Sequence, residues 1–89
     1  MKEAISQQLM EQFQAHYVKV VDESHKHAGH QGVDRVGNTH FDVTIVSDLF
    51  NNEPLLKRQR RVNQVLRPFI EKGVHALSMV TKTKDEFDG

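Results

Sequence analysis

Thr39-His40-Phe41-Asp42-Val43-Thr44-Ile45-Val46-Ser47 is the stretch on which the fold turns. Phe41, Val43 and Ile45 alternate with His40, Asp42 and Thr44, the two-residue period of a strand with one buried face. Upstream, Ser24–Asn38 holds three glycines and three of the chain's six histidines with no sustained period, which predicts a long loop. Loops of that length inside a small domain are commonly functional. Before the loop, Tyr17–Glu23 is rich in β-branched residues, with Val18 and Val20 alternating against Lys19 and Val21, a second strand. Two strands joined without a helix pair most simply antiparallel. Further back, Ile5, Leu9 and Phe13 recur every four residues within Lys2–Gln14, the mark of an amphipathic helix.

Downstream of Ser47, Asp48–Glu53 reads as a turn, and Pro54 suits the first position of a helix, where a missing N–H costs nothing. Leu55, Val62, Leu66, Phe69 and Ile70 define the apolar face of that helix as it runs towards Lys72. Pro68 removes the hydrogen bond to the Gln64 carbonyl, so a kink or break is predicted there. Gly73 is the natural stop. Val74–Lys82 is a third strand, and Thr83 with Glu86 forms a capping box for a short last helix bearing Phe87. The predicted fold is α+β, in the order α-β-β-α-β plus a short terminal helix. Its three-stranded sheet carries helices packed on one face, and residues 1–89 form a single domain.

Composition narrows the function. Twelve basic and twelve acidic residues cancel among 89, which argues against a general polyanion binder. No apolar run is long enough for a membrane span and the first residues lack a signal peptide, so a cytoplasmic protein is expected. With no cysteine, disulfides and an all-protein thiolate site are excluded. Asp22, Ser24 and His25 lie too close along one extended stretch to converge as orienter, nucleophile and base, and no phosphate loop or metalloprotease motif is present. No catalysis and no small-molecule substrate are expected. Lys57-Arg58-Gln59-Arg60-Arg61 is the best argument for nucleic acid: on a helix, Lys57, Arg58, Arg60 and Arg61 occupy much of the solvent face, where phosphates are neutralised. Gly29-His30-Gln31-Gly32 matches a nucleotide-clamping GXXG loop, but that loop joins two helices and this one lies between two predicted strands.

Val20-Val21-Asp22-Glu23-Ser24, Thr39-His40-Phe41, Val46-Ser47-Asp48, Leu56-Lys57-Arg58-Gln59-Arg60 and Val74-His75-Ala76-Leu77 stand in the order and spacing of BolA proteins. The chain resembles that family over nearly its whole length. The resemblance implies a fold similar to the type II KH-like arrangement. It also implies a partner, a monothiol glutaredoxin carrying a [2Fe–2S] cluster, whose cysteine and bound glutathione supply two thiolates. A BolA-like protein of the histidine type completes the cluster from its third strand and its long loop. Carried over residue by residue, the strand ligand is His75. For the loop ligand, counting forward from Asp22-Glu23-Ser24 points to His27 and counting back from His40-Phe41 points to His30, so both stay open. Neutral imidazole suits iron, and two imidazoles on one iron raise the cluster's potential relative to four thiolates. Where relatives often read Arg-His-Arg, this chain reads Arg58-Gln59-Arg60, so no role of a middle histidine carries over. The expected function is an adaptor in iron–sulfur delivery or iron sensing. The second function that the resemblance implies is a DNA-binding transcriptional regulator of stress response and cell morphology.

Overall fold

The computed structural model describes residues 1–23, 40–74 and 76–89. Helix α1 (Lys2–Phe13) buries Ile5, Leu9 and Phe13, the predicted stripe. Its end is closed by Gln14 in the left-handed region (φ 47°), whose N–H bonds the Glu11 carbonyl while the Ala15 N–H reaches Met10. That paired closure satisfies carbonyls the helix cannot bond itself. Strand β1 (Tyr17–Asp22) then runs antiparallel to β2 (His40–Val46), with Tyr17 opposite Val46 and Asp22 opposite Phe41. A single 3-10 turn at Asp48–Phe50 leads to α2 (Leu55–Glu71). Strand β3 (Ala76–Lys82) lies parallel to β2, from His40 opposite Ala76 to Val46 opposite Lys82. Helix α3 (Lys84–Asp88) ends the chain, opened by the predicted capping box between Thr83 and Glu86. The sheet is therefore mixed, in the order β1-β2-β3, with the alternating strand at its centre.

The core forms where α1 and α2 cover one face of the sheet. Ile5, Leu9 and Phe13 meet Val20, Phe41, Val43 and Ile45 below and Val62 and Leu66 beside them. Phe50 from the turn joins this cluster, 5.2 Å from the Phe13 ring. Phe87 of α3 stacks on Tyr17, which alternation puts on the opposite pleat from Val18 and Val20. At that corner Val46, between Tyr17 and Lys82 in register, is fully buried.

Three details differ from the sequence reading. Of the expected kink or break at Pro68 no break occurs: the proline lies inside one helix that runs from Leu55 to Glu71. Gln64 and Pro68 are both exposed, so water can take the orphaned carbonyl. Leu55, expected on the buried face, is 58% exposed, whereas Val62 and Leu66 are fully buried. Val74 belongs to the helix stop rather than to β3: its N–H bonds the Phe69 carbonyl while Gly73, at φ 123°, donates to Ile70. No helix among the described residues is long and apolar enough to cross a membrane.

Candidate functional site

Sheet register brings together the residues that flank the histidine-bearing segments. The Glu23 N–H donates to the His40 carbonyl at 2.8 Å, one step beyond the Asp22–Phe41 pair. His40 in turn stands opposite Ala76. Glu23 and His40 border residues 24–39 in sequence, and Ala76 follows residue 75. The three flanks thus share one end of the sheet. The predicted ligands His75, His27 and His30, with His25 beside them, lie outside the described residues. Among the described residues, no group of three or more histidines, aspartates and glutamates is placed to hold a metal ion.

The basic helix face is narrower than the sequence implied. Arg58 was expected on the solvent face, but it is turned inward and only 9% exposed. Its Nε donates to the Glu53 carbonyl at 2.8 Å, and one terminal nitrogen donates to the Thr81 carbonyl at 3.2 Å and to Glu86 at 2.7 Å. The other terminal nitrogen reaches the second Glu86 oxygen at 3.3 Å, and the guanidinium lies 5.9 Å from the centre of the Phe50 ring. A planar fork of five donors explains why an arginine can be buried here: carbonyls and a carboxylate receive it from three directions. The signal was present in the spacing, because Arg58, Val62 and Leu66 recur every four residues on the buried stripe. Arg61 is exposed but paired, its Nε 2.7 Å from Glu53. Lys57 and Arg60 are exposed, as is Arg67, and none of the three forms an ion pair among the described residues.

Glu86 serves two structures at once. It accepts from the Thr83 backbone N–H at 2.9 Å in the capping box and from Arg58 at the same carboxylate. The Arg58 hydrogen bond, followed by that from the Thr83 backbone, holds the Glu86 carboxyl down to about 2. Ser47 is a second hub that sequence reasoning passed over. Fully buried, it donates to the Phe13 carbonyl at 2.6 Å and accepts from the Leu49 N–H at 3.1 Å, tying the end of α1 to the turn.

Beside α2 runs an open groove of about 330 Å³ between the helix and β3, lined by Gln59, Asn63, Ile70, Val74, Leu77 and Met79. Through Asn63 and Ile70 it continues into a second depression, of about 740 Å³, along Arg60, Gln64 and Arg67.

A small mixed sheet backed by two helices, with a groove along the second that reaches Arg60 and Arg67, defines an α+β module of the KH-like kind. The chain belongs to the BolA family: the model described as "BolA-like protein" matches residues 9–86. It is 36% identical over 88 residues to the DNA-binding transcriptional regulator BolA of Escherichia coli, covering 99% of this chain and 80% of that one. It is 42% identical over 73 residues to SufE-like protein 1 of Arabidopsis thaliana, covering 78% of this chain but only 20% of that protein. The solved BolA domain of Arabidopsis SufE1 superimposes with a TM-score of 0.85 at 38% identity, over 96% of this chain and 93% of that domain.

Proposed function

We propose that this protein is an adaptor that binds a monothiol glutaredoxin and completes a shared [2Fe–2S] cluster with His75 and one of His27 or His30. The observation that carries the reading is the meeting of Glu23, His40 and Ala76 at one end of the sheet, because these residues border the segments in which the four histidines 25, 27, 30 and 75 occur. The donor chemistry fits. A chain without cysteine offers iron only imidazole and carboxylate, and two imidazoles against a partner's two thiolates is a ligand set that [2Fe–2S] centres use. Such a cluster supplies electron storage and an iron–sulfur cargo; this chain's part is to bind, orient and shield it. His75 adjoins Ala76, the first residue of β3, in sequence, whereas His27 and His30 belong to the long loop that the sequence predicts.

The test is anaerobic mixing with a holo monothiol glutaredoxin, followed by visible absorption and circular dichroism. A spectrum distinct from that of the glutaredoxin homodimer, together with a 1:1 complex on gel filtration, is the expected result. An unchanged homodimer spectrum sinks the reading. DNA binding is the second reading, favoured by the name of the Escherichia coli relative and by exposed Lys57, Arg60 and Arg67. Arg58 would act there by shaping the helix, since its guanidinium is already engaged. Affinity resting on these side chains falls steeply with added salt; salt-independent binding to a duplex would exclude them as its basis.

A further inference from the structure

We infer that the β3 edge and the adjoining α2 groove form a docking site for an acidic peptide segment in extended conformation, which adds as a fourth strand. This surface stands independently of the cluster reading. Among the described residues nothing pairs with β3 on its outer side, since the sheet order ends there. Direction along the edge follows from two hydrogen bonds. The Lys82 carbonyl accepts from the Ser47 N–H, at the end of β2, so even-numbered residues of β3 face the sheet. The Thr81 carbonyl accepts from Arg58, so odd-numbered residues face outward. By alternation, Leu77 and Met79 direct their N–H and C=O groups to the open side.

Natural sheets protect such edges with charge, proline or a bulge. β1, at the other edge, carries Lys19 and Asp22, whereas Ala76 to Thr81 contains no charged residue, no proline and no glycine. Arg58 blocks the edge only at Thr81, which sets one end of the free stretch and limits an added strand to a few residues. Beside this stretch, the groove offers an apolar wall of Ile70, Leu77 and Met79 for alternate side chains of that strand. Main-chain bonds for affinity and a pocket for alternate side chains for selection are the two parts of strand addition. Charge decides which segment. The groove continues through Asn63 and Ile70 to Arg60 and Arg67, both exposed and without an ion pair among the described residues, so glutamates or aspartates on the incoming strand complement it.

The probe is an end-blocked hexapeptide, Thr-Glu-Thr-Val-Thr-Glu, whose single groove-facing set carries both the glutamates and the valine, titrated into the 15N-labelled protein. Two N-methylated versions, each blocking one alternating set of its amides, are titrated in parallel. The expected result is movement of the Leu77 and Met79 amide signals, with binding abolished by one N-methyl set and retained by the other. The double variant Arg60→Glu/Arg67→Glu, both surface positions, should weaken binding about tenfold or more while leaving the fold intact. The same peptide with lysine in place of both glutamates should bind at least tenfold more weakly than the glutamate peptide. The inference is overturned if the glutamate peptide leaves the Leu77 and Met79 signals in place, if both N-methyl sets bind alike, or if an eight-residue oligothymidylate binds this groove more tightly than the peptide does.

Discussion

Arg58 joins the first turn of α2 to the end of β3 and to α3 through the Glu53 and Thr81 carbonyls and the Glu86 carboxylate. Truncating it strands two carbonyls and removes a cation from the Phe50 ring. Arg58→Ala is therefore expected to destabilise the protein by about 2–4 kcal/mol in urea unfolding. Arg58→Lys should recover only part of this, because an ammonium cannot span both Glu86 oxygens and the carbonyls. Loss from the alanine variant of less than half a kcal/mol would show that the buried guanidinium contributes little. The same pair predicts a pH response. Glu86 titrates near 4.5 when unfolded and near 2 when folded, so the unfolded chain binds more protons between those values. Its contribution is present in full above about pH 4.5 and fades as the pH falls towards 2. Melting temperatures measured between pH 6 and pH 2 should accordingly fall less for Glu86→Gln than for the wild type across that window. Equal slopes would remove Glu86 from the acid response. Neither role was legible in the basic run itself, where Arg58 looks like its neighbours; only its four-residue spacing to Val62 and Leu66 sets it apart.

At the scale of elements, periodicity was a faithful guide in β2 and α1, and less so in α2, where exposed Leu55 and buried Arg58 depart from the expected stripe. The alternation of β2 and the four-residue stripe of α1 appear as read, because each element has a single buried side. Strand pairing was legible only in part. The antiparallel β1–β2 pair follows from a connection without a helix, and the parallel β2–β3 pair needs the crossover through α2 that its helical stripe supplies. Boundaries were harder. Val74 reads as strand by composition, yet its N–H closes the helix against Phe69. Pro68 predicts a kink or break in α2, and the helix runs on unbroken because the proline sits on the wet side, where its missing bond exposes the Gln64 carbonyl to water instead of burying it. A proline inside a helix still costs free energy even when the helix tolerates it. Pro68→Ala, which restores the donor, should therefore stabilise the protein by about 1–3 kcal/mol in the same unfolding assay. An unchanged midpoint would mean that the last turn of α2 frays independently of the bonds above it. The candidate ligands His75, His27 and His30 rest on the family resemblance: an absent cysteine restricts this chain's own donors to imidazole and carboxylate, while the choice between His27 and His30 turns on whether positions are counted from Ser24 or from His40.

The whole molecule is a frame that brings sequence-distant segments to one sheet end, and its clearest prediction concerns how unequal two ligands should be. Glu23 and His40 border the loop and Ala76 adjoins His75, so the fold fixes the two ends of the loop and the start of β3 relative to one another. His75 adjoins the first residue of β3 in sequence, whereas His27 and His30 stand four and seven residues beyond Glu23, and each backbone residue that binding must fix costs about 1–2 kcal/mol. His75→Ala should therefore abolish the mixed-complex spectrum or return it to that of the glutaredoxin homodimer. Replacing the true loop ligand, His27 or His30, should leave a cluster that forms but decays faster and has an altered spectrum. His40 provides the internal control: its backbone carbonyl already receives Glu23 in the sheet, and His40→Ala should keep the wild-type spectrum. Imidazole ligands also compete with protons, so cluster loss should accelerate as the pH falls through the histidine range near 6.5, more steeply than for a glutaredoxin homodimer held by thiolates. The deciding measurement is a set of single alanine variants at His25, His27, His30, His40 and His75, each mixed with holo-glutaredoxin and followed by visible absorption at pH 6 and pH 8. If all five retain the wild-type spectrum and the same decay at both pH values, histidine ligation by this chain is wrong, and any complex with a glutaredoxin must hold its cluster without it.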